Sequence, residues 1–148
     1  MVRFQLVIDC ADPDRLARFW KEALHYEFTP APDGYASWDD YYRALGVPDE
    51  DLDLGEDRLS DPQGGGPDIW FQKVDDIKIV KNRLHLDINA TGGIRRDVPR
   101  PEREACVRAE AERLASLGAT IVRELVEPGI DHFGIAMTDP EGNEFDIN

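Results

Sequence analysis

One ordering of elements runs along this chain twice and leaves few folds open. Residues 3 to 9, RFQLVID, alternate, with Phe4, Leu6 and Ile8 on one side and Gln5, Val7 and Asp9 on the other. That is the period of a half-buried strand. ADPDRLARFWKEALHY follows, with Asp12 as N-cap, Pro13 at the first helical position, and Leu16, Phe19, Trp20, Ala23 and Leu24 along one helical face. YEFTPAPDGYASW reads as two short strands around a Pro-Asp-Gly turn, WDDYYRALGVP as a short helix stopped by Gly46 and Pro48, and PDIWFQKV as a further strand. The second half repeats the order. NRLHLDIN reads as a strand, and DVPRPEREACVRAEAERLASLG as a helix with Val107, Ala111, Leu114 and Leu117 inward and Gly118 as its stop. ATIVRELVE, HFGIAMTD and GNEFDIN supply three more strands. The fold class is therefore α+β: two βαβββ modules, about 2–75 and 80–148, within a single domain spanning 1–148. Neither module can cover its own sheet, so the pair is expected to form a curved, mostly antiparallel sheet around a ligand cavity.

Charge then excludes whole classes of partner. Thirty-one acidic residues against seventeen basic ones give a formal net charge of −14, which repels polyphosphate and anionic lipid, so neither nucleic acid nor a membrane is an expected partner. The start MVRFQLVIDC has no apolar run of signal-peptide or membrane-span length. Cys10 and Cys106 are isolated thiols without metal or redox spacing. Together these point to a cytoplasmic protein. The acidic, glycine-rich span 49–67 is expected to be a long loop. Its Asp51, Asp53 and Asp57 lack EF-hand spacing, and no GK[ST] follows Gly64 to Gly66 to make a phosphate loop. His25, ending the first helix, is assigned a C-terminal electrostatic role.

The polar lanes of the strands carry the chemistry. With Phe4-Leu6-Ile8, Ile69-Phe71, Leu84-Leu86-Ile88 and Phe145-Ile147 turned to the helices, Gln5, Gln72, His85, Asp87, Glu144 and Asp146 face the other way. If that side curls into a cavity these groups converge; if it lies open they are merely hydrated.

DCADPDRLARFWKEALHYEF, FQKV…KNRLHLDI and the ending DPEGNEFDIN resemble the vicinal oxygen chelate superfamily, in its bacterial glyoxalase-like branch. That superfamily includes glyoxalases, extradiol dioxygenases, epimerases, and bleomycin and fosfomycin resistance proteins. The resemblance spans nearly the whole chain except the acidic loop. It implies a divalent metal (Ni, Zn, Mn or Fe) held by one residue from each of four strands. The first-strand ligand, seven residues before Asp12, falls on Gln5, and the fifth-strand histidine on His85. The last-strand carboxylate, four residues after Gly142, falls on Asp146, and the fourth ligand on Gln72. Two neutral amides add little charge, which sets metal chemistry against an apolar pocket rimmed by hydrogen-bonding groups. Asp87 is placed at the pocket rim or orienting His85.

Three activities are weighed on this basis. In a metal-assisted lyase or isomerase, the ion chelates adjacent substrate oxygens while Glu144 or Asp146 moves the proton. In a non-catalytic sequestering protein of the bleomycin-resistance kind, Trp38, Trp70 and Phe71 offer flat faces to a planar ligand, against the plainer reading of these rings as core. The third is a non-haem iron dioxygenase built on His85, Asp87 and, 45 residues on, His132, which ranks last because two helices fit a jelly roll poorly. The resemblance also implies a homodimer.

Overall fold

A computed structural model of the protein describes residues 2–52, 55–92 and 97–148. The chain divides into two compact units, Met1–Ile77 and Lys78–Asn148. Unit one contains β1 (Gln5–Cys10), α1 (Pro13–Leu24), β2 (Glu27–Phe28), α2 (Trp38–Ala44), β3 (Arg58–Ser60) and β4 (Asp68–Lys73). Unit two contains β5 (Asp87–Ile88), α3 (Arg100–Ser116), β6 (Thr120–Val126), β7 (Phe133–Thr138) and β8 (Glu144–Ile147). Each unit is a βαβββ module with its own four-stranded sheet, ordered β1-β4-β3-β2 and β5-β8-β7-β6. In both, the first strand pairs in parallel with the last, and the other two pairings are antiparallel.

The helices form where the sequence caps them. The Asp12 carboxylate accepts the Arg15 N–H at 3.1 Å and Pro13 opens α1, while His25 closes it in the left-handed region at φ 55°. Leu16, Ala17, Phe19, Trp20 and Ala23 are buried, against a sheet face of Leu59, Ile69 and Phe71. Each fully buried Leu, Ile or Phe contributes about 1.5–3 kcal/mol of transfer free energy, which is what holds so small a sheet together. In unit two α3 lies on β7, β6 and β8 and buries Val107, Ala111 and Leu114 against Ile135, Met137, Phe145 and Ile147. Leu117 leaves the stripe. Its place in the core-facing series is taken at the other end by Arg103, which is only 5% exposed and whose head group reaches both Asp131 oxygens at 2.6 Å.

Three local expectations change. Only β2 forms in YEFTPAPDGYASW: Pro30 and Pro32 offer no N–H to a ladder, and the chain passes through a turn with Gly34 at φ 95° into α2. The missing strand is β3, inside the acidic loop, with Leu59 fully buried between half-buried Arg58 and Ser60. The apolar lanes are also shorter than expected. Phe4 (71% exposed) and Leu84 (83%) lie just before the paired parts of β1 and β5, where no neighbouring strand carries them into the core. Both cysteines are free thiols, Cys10 buried and Cys106 half-buried. Among the described residues no helix is long and apolar enough to cross a membrane.

Candidate functional site

The DPEGN segment is a turn that sets the last strand. Buried Asp139 accepts the N–H groups of Glu141 and Asn143 at 2.9 and 3.0 Å and the Asn143 side-chain amide at 2.9 Å, with Gly142 at φ 87°. β8 leaves this turn with Phe145 and Ile147 buried, which directs Glu144 and Asp146 to the opposite face of the sheet.

There Asp146 meets Asp87 directly across the β5/β8 ladder. Two like charges facing one another across paired strands weaken the pairing, here moderated by solvent because the Asp87 side chain is 58% exposed. His85 closes the third side, its Nε2 lying 3.3 Å from Asp87 Oδ1 and 3.5 Å from Asp146 Oδ2. One ligand atom from each of the three falls within 4.8 Å of the others. Both carboxylates approach the same ring nitrogen, Nε2, which carries at most one hydrogen for the two of them. A divalent ion, with ligand bonds of about 2.0–2.4 Å to imidazole nitrogen and carboxylate oxygen, matches both the charge of this triangle and, after a small contraction, its size.

Glu144, two residues before Asp146, is engaged otherwise. It accepts the Asn82 backbone N–H at 3.0 Å and pairs with Lys78 Nζ at 3.0 Å. Chiefly through the Asn82 hydrogen bond, with Lys78 adding to it, its pKa falls from 4.5 to about 2. So acidic a group is a weak general base near neutrality. Its visible work is to fasten the segment leading into His85 onto β8.

In unit one the expected amide ligands share a face but not a place. Gln5 lies opposite Asp68 and Gln72 opposite Asp9, four ladder positions apart. At about 3.3 Å per residue that is roughly 13 Å along the strands, too far for one ion to hold both.

Between them on the same face lies Trp70, opposite Val7 on one side and Arg58 on the other. The Arg58 guanidinium stands 4.1 Å from the centre of the Trp38 ring, 5.5 Å from Trp70 and 5.6 Å from Tyr42. Asp57 Oδ1 accepts from Arg58 at 3.1 Å, and its Oδ2 accepts the Trp70 indole N–H at 3.1 Å. Arg58 also donates to the Tyr42 hydroxyl at 2.7 Å, and the Trp38 indole donates to the Thr29 carbonyl at 2.9 Å. Trp38, Tyr42, Asp57, Arg58 and Trp70 are among the residues that line a cavity of about 290 Å³. Trp38 and Trp70 thus come together, whereas Phe71 is fully buried in the core and takes no part. Arg58 and Tyr42 escaped the sequence reading, and Asp57 entered it only among the acids considered for calcium. The available signal was that Arg58 is the one basic residue between Asp49 and Pro67.

The remaining motifs are structural. Asp57 is committed to Arg58 and Trp70, and Asp53 lies outside the described residues. The N–H groups of Gln63, Gly65 and Gly66 converge at 2.7–2.8 Å on the Asp61 carboxylate, so the glycine run holds an anion of its own. His132, just before β7, is not part of the His85, Asp87 and Asp146 group. The helix-bearing modules are not the jelly-roll barrel on which the reading of His85, Asp87 and His132 as a two-His-one-carboxylate iron site rests.

Comparison with known proteins supplies the family. Residues 5–148 match the model of the glyoxalase-like domain family, and the chain belongs to that family, within the vicinal oxygen chelate superfamily. Among solved structures, it is similar to a glyoxalase/bleomycin resistance protein/dioxygenase family enzyme from Burkholderia phytofirmans PsJN (14% identity, TM-score 0.56, covering 97% of this chain and 94% of that one). It is also similar to a mutant of the fosfomycin resistance protein FosX of Listeria monocytogenes, complexed with Mn(II) and 1S,2S-dihydroxypropylphosphonic acid (12%, 0.60, 99% and 90%). FosX of Mesorhizobium loti is a third such structure (13%, 0.57, 99% and 90%). At these identities the likeness is one of fold. No curated protein matches the chain significantly.

Proposed function

We propose that this is a cytoplasmic, homodimeric glyoxalase-like protein whose second module holds a divalent metal at His85, Asp87 and Asp146 and which acts on a small organic molecule as a lyase or isomerase. The observation that carries the metal is the facing pair Asp87 and Asp146 with His85 between them. Two carboxylates and an imidazole supply the charge that a set built on Gln5 and Gln72 lacks. The Mn(II) complex of FosX, a protein of the same fold, is consistent with it. When bound, the ion would act as a Lewis acid toward a substrate oxygen. Asp146 then serves as ligand, and Glu144 keeps Lys78 and Asn82 in place.

That engagement of both acids favours a second reading, in which the chain binds its ligand without turnover. Trp38 and Trp70 would then hold a planar molecule for sequestration.

Chelator-treated protein titrated calorimetrically with Mn(II), Ni(II), Zn(II) and Fe(II) separates metal from no metal. One ion per chain is expected, lost in His85→Ala. Asp87→Asn should weaken metal binding yet raise the stability of the metal-free protein by about 0.2–1 kcal/mol, because it relieves the cross-strand repulsion. Wild-type protein that takes up none of the four ions would remove the metal reading.

A further inference from the structure

One residue too many stands in β6. Its ladder with β7 sets Thr120 opposite Thr138 and Ile121 opposite Met137, then resumes with Arg123 opposite Ala136 and Glu124 opposite Ile135, which leaves Val122 as the extra residue of a β-bulge. In an uninterrupted ladder Val122 would stand opposite Ala136, and Arg123 opposite Ile135 on the side covered by α3. The bulge reverses the facing of every residue that follows it. Glu124 thereby faces α3 and pairs with Arg108 there, and Arg123 faces the opposite way.

That opposite side is the one that carries the metal group. Ile135 and Met137 are buried, so Ala136 between them points away from the core, and it lies opposite Asp146. Asp87, Asp146, Ala136 and Arg123 thus form one row across all four strands, on one face. In that row only the Ala136 methyl group stands between Asp146 and Arg123, whose backbones are two strand spacings, about 10 Å, apart.

Charge gives the placement a consequence. Glu144 is matched by Lys78, and a divalent ion would match Asp87 and Asp146 together. Arg123 then remains as positive charge on this face, with no ion-pair partner among the described residues. A chain at −14 repels anions at long range, so an anionic substrate needs a local cation to hold it. A guanidinium offers a carboxylate two parallel N–H donors.

We propose that Arg123 selects the substrate by holding the carboxylate of a small hydroxy or oxo acid whose other oxygens lie at the ion on His85, Asp87 and Asp146. This rests on the reading of those three residues as metal ligands and adds the charge of the substrate. The bulge at Val122 is the device that brings the guanidinium to the metal side.

Protein loaded with Mn(II) is titrated calorimetrically with 3,4-dihydroxybutanoate and with its neutral analogue 1,2,4-butanetriol, while water-proton relaxation reports displacement of water from the ion. The acid is expected to bind about tenfold or more tighter than the triol and to displace water. Arg123→Gln should lose that advantage while its triol affinity and its uptake of Mn(II) stay as in wild type, and Arg123→Lys should keep part of it. A merely structural Arg123 would shift both probes or the metal together, and that outcome overturns the assignment. Equal binding of the two probes, binding of neither to loaded protein, or an unchanged preference in Arg123→Gln overturns it too, with the metal reading left standing. Wild-type protein that takes up no Mn(II) removes the assignment together with that ion at His85.

Discussion

At the scale of single residues, Glu144 states its role through its titration. Asn82 and Lys78 lower its pKa from 4.5 to about 2 in the folded protein. A depressed carboxylate pKa means that the folded state prefers the ionised form. The stabilisation is therefore complete above about 4.5 and is lost as the pH falls from there towards 2. Denaturant unfolding of the wild type over that range should show stability declining with acid. Glu144→Gln, which can still accept the Asn82 N–H, should start lower near neutrality and decline less. Parallel slopes for the two proteins would mean that Glu144 does not fasten Lys78 and Asn82. From sequence, Glu144 and Asp146 look alike as proton carriers, because lane position says which side a group faces and nothing about its partners. His85 is visible for the opposite reason: an imidazole one strand step from a carboxylate is conspicuous. That Asp87 is Asp146's ladder partner depends on the β5/β8 register, which no local pattern encodes.

Elements were legible where periodicity and capping agreed. α1 and α3 begin and end within a few residues of their expected limits because Asp12, Pro13 and Gly118 punctuate them. β3 was hidden by composition: a three-residue strand with one apolar side chain, Leu59, presents no alternation amid Asp, Glu and Gly. Yet it lies between β2 and β4, and it brings Arg58 beside Trp70. The same dependence on close strand packing appears in β7, where Gly134 faces Leu125 of β6. A Cβ at Gly134 would meet the Ile147 carbonyl oxygen of β8 at 2.9 Å. A backbone atom cannot swing aside as a side-chain tip can. Gly134→Ala should therefore destabilise the protein by about 1–3 kcal/mol and, by displacing the strand that carries Asp146, weaken metal binding as well. Thermal unfolding and the metal titration read these together; a variant with wild-type stability would show that β7 and β8 tolerate wider separation.

For the molecule as a whole, charge and exposed apolar surface act in opposite directions. A chain at −14 resists association with its own copies, since every approach is repulsive at low salt. Against this, Ile77, Ile79, Val80 and Leu84 are 72–83% exposed along one short segment. So much apolar side chain on one stretch suits burial against another surface. If a second copy of the chain covers it, association is driven by apolar contact and opposed by long-range repulsion that salt screens over about 10 Å at 0.1 M. The dimer, at twice the 16.7 kDa chain mass, should therefore grow stronger as salt is raised from about 0.01 to 0.3 M, the reverse of an interface built on ion pairs. Replacing Ile77, Ile79, Val80 and Leu84 together by serine should leave a monomer at all salt concentrations. Sedimentation equilibrium across that range checks both statements, and a wild-type chain that stays at monomer mass throughout would exclude the dimer.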